Sequence, residues 1–370
     1  MLTPLWKCCS AVHAALEYFF FGALGLFPRI VPRFLSNLFS TRENPDDLEG
    51  CGRHLSKNES PTIAKANASR SAKEDQAVLP GGIADPVLYE PPFNEILSRG
   101  STSLIARVNP GVVVKCPRYS WWHSEAAVNH PFVKDIKRNF EVEERLLEIL
   151  GIHPRIIRYI GVSVEPRGLL FAEASGGNLQ AYIDRHNDTI DLSLRLKWCS
   201  QAAEAVYYIH QKGVIHSDLR PENFLLHNDS ENKLDLLLCD FGGSTNGDID
   251  GGHLPDSGFF NPCKPWVSTE AMDIFSLGSV FYTIMTGHWP YKSPRPFNSV
   301  EEMNNYEDRV DNLFASKMYP PVDGLTGGAV IQGCWTERYS DVGALIRDQR
   351  VYISSGREWH DLNRLVMNTA

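Results

Sequence analysis

The stretch His216-Ser217-Asp218-Leu219-Arg220-Pro221-Glu222-Asn223 brings an acid, a cation and an amide together at the spacing of a phosphoryl-transfer loop. Such chemistry rests on positioning and on charges that match the phosphates. A polar turn carrying a proline ahead of a strand would use the same residues, so the flanking segments decide. Leu234-Asp235-Leu236-Leu237-Leu238-Cys239 is a short apolar run that predicts a strand. It delivers Asp240-Phe241-Gly242 into a glycine-rich turn, one short hairpin beyond the loop, with Leu225 and Leu226 in the hairpin's first strand.

Upstream, Val112-Val113-Val114-Lys115 is a β-branched run ending in a cation. A lysine at a strand end is ordinarily solvated, so a chemical role needs a carboxylate partner. Between Asn139 and Leu150, the residues Phe140, Leu146, Leu147 and Leu150 form an apolar stripe at helical spacing and leave the acids on other faces. Glu141, Glu143 and Glu144 are the candidates. Leu169-Leu170-Phe171-Ala172-Glu173-Ala174-Ser175-Gly176-Gly177-Asn178-Leu179 predicts a strand, an acid and a flexible glycine pair before a helix start. Leu194, Trp198, Ala202, Val206 and Ile209 predict a helix over Ser193 to Gln211 with one core face, broken by Gly213 before a strand at Val214-Ile215. A further helix opens near Asp273-Ile274-Phe275-Ser276-Leu277-Gly278 and stops at Thr286-Gly287, with Pro290 beyond.

Lys115, Glu143, Asp218, Asn223 and Asp240, in this order and spacing, resemble the polar set of the protein kinase domain, from about Pro91 to Tyr352. Val112 to Lys115 is similar to the family's V-A-I-K strand, His216 to Asn223 to its catalytic loop and Asp240-Phe241-Gly242 to its D-F-G. Gly151-Ile152-His153-Pro154-Arg155-Ile156-Ile157 resembles H-P-N-I-V, and Asp273 to Gly278 resembles D-x-W-S-x-G. The style is that of divergent eukaryotic, fungal-type members. The resemblance implies an α+β, bilobed fold: a small, mainly β N-lobe with one key helix and a larger, mainly α C-lobe. It implies ATP and Mg2+ as cofactors, with Asn223 and Asp240 as metal ligands. Asp218 would orient the acceptor hydroxyl and take its proton. Lys115 would bind the α and β phosphates, paired with Glu143, the acid the family register selects. Arg220 takes the place of a lysine that steadies the transferring phosphate, which replaces a point charge by a planar fork. Val113 would lie over the adenine, backbone groups of Glu173 and Ser175 at its edge and Leu225 below it. Ala172 would guard the back of the pocket, and its small size implies an enlarged pocket there. Asp273 would accept hydrogen bonds from the catalytic-loop backbone.

The pattern also departs from the family. Ser98-Arg99-Gly100-Ser101-Thr102-Ser103-Leu104-Ile105 stands where members carry G-x-G-x-x-G-x-V, and only Gly100 survives. Ser103 and Ile105 keep their places beside the phosphates and the adenine, but with fewer glycines the clamp adapts less and weaker ATP affinity is expected. Ser217 replaces the arginine that pairs with a phosphorylated activation loop, the non-RD pattern. Activity independent of loop phosphorylation is expected, despite Ser244, Thr245, Ser257, Ser268 and Thr269. No A-P-E is present; Ser268-Thr269-Glu270 stands near its place, with Arg338 as a possible partner for Glu270 or else a solvated arginine.

The chain's 370 residues, 43% hydrophobic, suffice for one bilobed domain and an extension. A net charge of -9 argues against nucleic acid as a partner. Eight cysteines lack zinc spacing, and those at 116, 199, 239 and 334 read as reduced core residues of a cytoplasmic protein. Residues 1–40 are apolar and aromatic, with Ala11 to Phe27 nearly continuous. With Glu17 inside and Pro28 at its end, this run is marginal for a span; an interfacial anchor, acylated at Cys8 and Cys9, and a packing helix are the two readings. The expected organisation is an apolar segment at 1–40 with possible weak membrane association, a polar flexible linker at 41–84, a kinase-like domain at 85–355 and a tail at 356–370. Within the domain, the N-lobe is expected over about 91–172 and the C-lobe over about 176–355. The residues carry no signal for an oligomeric state.

The expected function is ATP- and magnesium-dependent phosphate transfer to protein Ser or Thr hydroxyls, with protein substrates as partners. The alternative is a pseudokinase, a nucleotide-binding or scaffolding module, to which the reduced glycine loop points. A kinase for a small hydroxylated molecule would use the same chemistry.

Overall fold

The computed structural model describes residues 86–122, 129–228 and 234–355. The apolar segment, the linker and the tail expected from the sequence lie outside the described residues. Five strands, β1 (Ile96–Arg99), β2 (Ser103–Asn109), β3 (Val112–Pro117), β4 (Tyr159–Val164) and β5 (Arg167–Ala172), form one antiparallel sheet in the order β1-β2-β3-β5-β4. Strand alternation divides its side chains. Leu104, Ala106, Val114 and Cys116 point to one face, where Tyr89, Phe93 and Leu170 pack on them. Val113, Leu169 and Phe171 join the main core on the other.

That second face meets helix α1 (Pro131–Leu150), which begins well before the expected Asn139 and carries Pro131 in its first turn, where a missing N–H costs nothing. Its buried side includes Ile136, Phe140, Glu143, Leu147 and Leu150. Glu143 therefore lies on the apolar stripe itself, which corrects the expectation that the acids occupy other faces. The spacing permits this: Phe140, Glu143 and Leu147 fall one turn apart.

Beyond the linker at Glu173–Gly177, the chain becomes mainly helical: α2 (Leu179–His186), α3 (Leu192–Gln211), α4 (Glu270–Thr286), α5 (Val300–Ala315), α6 (Gly328–Trp335) and α7 (Val342–Ser355). Asn178 caps α2, its Oδ1 accepting from Ala181 N at 2.8 Å. The predicted face of α3 is buried at Trp198, Ala202, Val206 and Ile209, while Leu194 is only half-buried. Helix α4 is buried on nearly every side, from Met272 to Ile284, and stops at Gly287 with φ 89. Each large apolar side chain taken from water there contributes about 1.5–3 kcal/mol. Val214-Ile215 is not a strand; Ile215 makes one bridge to Thr245. Hairpin β6 (Phe224–Asn228) and β7 (Leu234–Leu238) forms as expected, and β8 (Thr245–Asn246) pairs with β9 (Ile249–Asp250).

Arg338 donates to Asp348 of α7 at 2.6 Å and to the Tyr339 hydroxyl, so neither the pairing with Glu270 nor a purely solvated guanidinium describes it. Glu270 lies instead near His210. Cys116, Cys199 and Cys334 are buried free thiols, and burial pushes Cys116 up to about 12. Among the described residues, no helix is long and apolar enough to cross a membrane.

Candidate active site

The cleft between sheet and helices collects the polar residues singled out by spacing. Lys115, near the end of β3, puts its Nζ 2.7 Å from Glu143 Oε2 and 2.7 Å from Asp240 Oδ1. Glu143 is only 2% exposed, whereas Asp240 is 46% exposed. Burial works against both carboxylates, with opposite outcomes. Asp240 is held at about 2 because Lys115, with His216 and His253 nearby, outweighs desolvation. Glu143 ends above the usual carboxylate range: desolvation and the Asp240 charge exceed what Lys115 and the Phe241 N–H give back. For Lys115 the two carboxylates overcome its desolvation and raise it. Phe241 is buried and packs edge-on against His216, with centroids 5.1 Å apart, so Asp240 is turned into the cleft.

The catalytic-type loop is anchored from below. Asp273, fully buried in α4, accepts from His216 N at 2.8 Å and Ser217 N at 3.0 Å, as the resemblance implied. His210 Nε2 lies 2.8 Å from the same carboxylate. Ser217 sits at φ 67 and donates its hydroxyl to Ser268 at 2.8 Å. On this base, Asn223 Nδ2 donates to Asp218 O at 2.8 Å and to Asp218 Oδ2 at 2.9 Å. The backbone N–H of Cys239, next to Asp240, donates to Asn223 O at 2.9 Å, which ties the two halves of the site.

Lys115, Glu143, Asp218, Asn223 and Asp240 are thus brought together. Arg220 turns towards the activation segment: its guanidinium donates to Asp256 and lies 3.4 Å from Glu222. Here it is a buried link between loop and activation segment, and the expected role of steadying the transferring phosphate requires release of these carboxylates.

The nucleotide-side residues fall along β2, β3 and the linker. Ile105 faces Lys115 across β2 and β3. The tip of the short β1–β2 turn is closed by Gly100 N donating to Ser103 O at 2.8 Å, and Arg118 Nη1 donates to Gly100 O at 2.9 Å. Glu173 N donates to Gly111 O, and its carboxylate takes Arg107 of β2 at both oxygens. Ser175 Oγ accepts from Asn228 N at 3.2 Å, and Leu225 sits half-buried on β6 opposite Leu237. Val113 pairs with Phe171 and Val112 with Ala172. Side chains of paired residues share a face, so Phe171, not Ala172, stands beside Val113 and Lys115. The enlarged back pocket expected from Ala172 is therefore filled by a phenyl ring. Phe171→Ala is expected to raise the affinity of bulky adenine analogues about tenfold or more, while Ala172→Gly leaves it unchanged; competition against a labelled nucleotide reads both.

Sequence reasoning missed His253, Asp256 and Arg107. His253 Nε2 stands 3.3 Å from Asp218 Oδ2. The signal available was the doubled glycines at Gly242-Gly243 and Gly251-Gly252, which mark close backbone approach. Near Asp256, α5 adds Glu307, Asp308 and Asp311. Burial, with Asp256, Asp311 and Asp308 beside it, pushes Glu307 up to about 7, and burial first pushes Asp311 to about 6. An acid raised in the folded state binds its proton more tightly there, so stability falls as pH rises from about 4.5 through about 7. Glu307→Gln is expected to raise the melting midpoint by about 2–4 °C at pH 8 and by less than half of that at pH 5. Equal gains at both pH values would refute this.

A lysine clamped between a helix glutamate and a turn aspartate, beside an Asp–Asn loop under a five-stranded sheet, defines the protein-kinase fold. The protein kinase domain family matches residues 126–323, and the chain belongs to that family. Strands β1–β3 precede the match and join the sheet where β3 pairs with β5. Among relatives, the chain is similar to serine/threonine-protein kinase PKH3 of Eremothecium gossypii, 28% identical over 232 residues, 58% of this chain and 31% of that protein. It is similar to the receptor tyrosine-protein kinase erbB-4 of Homo sapiens, 27% over 206 residues, 54% of this chain and 15% of that protein. Sucrose non-fermenting protein kinase 1 of Fusarium virguliforme is 31% identical over 166 residues, 43% of this chain and 23% of that protein. The chain thus spans less than a third of the length of each of these relatives.

Proposed function

We propose that the protein is an ATP- and magnesium-dependent protein kinase that phosphorylates Ser or Thr hydroxyls in a cytoplasmic setting and needs no phosphate on its activation segment. The observation that carries this is the complete polar set, with Lys115 2.7 Å from both Glu143 and Asp240 and Asn223 bonded to Asp218. Asp218 would accept the acceptor's proton, and its carboxylate stays ionised because His253, Arg220 and His216 together outweigh its desolvation. Lys115 would release a carboxylate contact to meet the nucleotide phosphates. Asp240 spends Oδ1 on Lys115, and Asn223 uses only its Nδ2 in the bonds to Asp218, so hard oxygen donors remain that fit magnesium. When bound, magnesium supplies charge neutralisation on the phosphates.

Independence from loop phosphorylation is supported by Ser217, which offers no guanidinium. The segment's hydroxyls also have structural duties: Ser244 donates to His216 O, Ser257 to Asp311, and Thr269 caps α4. A pseudokinase reading draws on the glycine-poor β1–β2 turn, tied back to Arg118. The test is radiolabelled phosphate transfer from MgATP to a degenerate Ser/Thr/Tyr peptide library by the full chain, before and after phosphatase treatment. Transfer to Ser or Thr that survives phosphatase is expected. Transfer confined to Tyr, or lost on phosphatase treatment, overturns the corresponding part; nucleotide binding with no transfer establishes the pseudokinase.

A further inference from the structure

We infer that His253 is a positioning residue for the proposed phosphate transfer: from the activation segment it pairs with one oxygen of the Asp218 carboxylate and so fixes the rotation of that group. The inference rests on the kinase reading above. Asp218 Oδ2 accepts from Asn223 Nδ2 at 2.9 Å and lies 3.3 Å from His253 Nε2, an ion-pair contact that is not aligned as a hydrogen bond. Asp218 Oδ1 is buried and has no hydrogen-bond partner among the described residues. The rotation of the carboxylate is thereby set at Oδ2, the oxygen that the amide and the imidazole share.

His253 reaches this place through close backbone packing, not through its ring. Gly251 lies so near the Gly242-Gly243 backbone that a Cβ would come within 2.2 Å of Gly242 O, and a Cβ on Gly243 would come within 2.1 Å of His253 Cβ. His253 N donates to Gly243 O at 3.3 Å, Gly251 N to Ser244 O at 3.0 Å and Arg138 Nη2 to Gly251 O at 3.0 Å. The segment is therefore held with or without the imidazole. With Arg220 engaged by Asp256 and Glu222, the imidazole is an ion-pair partner that the activation segment brings to Asp218. It also contributes to the low proton affinity of that carboxylate, behind the opposing effect of burial.

The experiment measures steady-state transfer from MgATP to the peptide library by the full chain carrying His253→Ala, His253→Gln, Asp218→Asn or the pair His253→Ala and Asp218→Asn. Loss of orientation without loss of binding lowers kcat about 10- to 100-fold with KM for ATP within about twofold. Gln, whose amide can donate from a similar position, should return kcat to within about threefold of the parent. In the Asp218→Asn background, His253→Ala should cause no further loss, since the two act as one unit. A merely structural histidine would show additive losses and no rescue by Gln, and either result overturns the inference. So does His253→Ala turnover within about twofold of the parent, or a rise in KM with kcat unchanged. A parent chain that transfers no phosphate overturns the kinase reading and this inference with it; a transferring parent with an unaffected His253→Ala overturns the inference alone.

Discussion

Asp218→Asn is expected to lower kcat for phosphate transfer by about 10²–10⁴-fold while leaving nucleotide affinity and the melting midpoint nearly unchanged. The carboxamide keeps the volume of the carboxylate, and its oxygen can still accept from Asn223 Nδ2, which lies 2.9 Å from Oδ2 in the parent. It cannot take a proton. Lys115, Glu143 and Asp240, which face the nucleotide, form their own cluster and do not depend on Asp218. The loop's backbone is anchored through the N–H groups of His216 and Ser217, which the Asp218 carboxylate does not hold. Single-turnover kinetics with MgATP, alongside thermal melting and nucleotide titration, separate these quantities. Equal transfer by parent and variant would sink the assignment of Asp218 as base; a melting midpoint several degrees lower would show that its role is structural.

Asp273→Ala has the larger expected effect on stability, about 3–5 kcal/mol. Asp273 is fully buried, and its removal strips acceptors from the His216 and Ser217 N–H groups and from His210, all in a region closed to water. Buried donors left unmatched carry their full desolvation penalty, which no rearrangement of α4 relieves because the helix is packed on nearly every side. At about 2–4 °C per kcal/mol for a domain of this size, the melting midpoint falls by about 10 °C. Transfer activity falls as well, since Asp218 and Asn223 ride on the same loop. Differential scanning calorimetry checks the first effect. A midpoint within about 2 °C of the parent would show that water or a neighbouring group satisfies those N–H groups.

The two variants divide the site as the chain divides it. In the proposed mechanism Asp218 serves the chemistry, while Asp273 holds the loop that carries it, and both stand in short local strings. Glu143 was selected by register rather than by helical face, and only the packed helix shows that it replaces an apolar residue on the buried stripe. Phe171 and Ala172 are neighbours, so assigning one of them to the pocket depends on strand parity. That parity is set by which residue of β3 lies opposite, and the pairing of Val113 with Phe171 decides it. Arg338 and Glu270 were linked by analogy across a long separation, whereas Asp348 is one helix away and takes the guanidinium.

By itself the sequence determined the fold class, the strands that carry Lys115 and lead to Asp240, the helices that carry Glu143 and Asp273, and the candidacy of Lys115, Asp218, Asn223 and Asp240. Hydrophobic period is a local property, and the chemistry of each group follows from its residue type and near spacing. Only the tertiary structure decided which charges meet: Arg220 with Asp256, Arg107 with Glu173, and His253 with Asp218. Those contacts join segments far apart in the chain, and interaction between charges falls off so steeply with distance and solvent that a shift of a few ångströms separates a catalytic cation from a neutralised one.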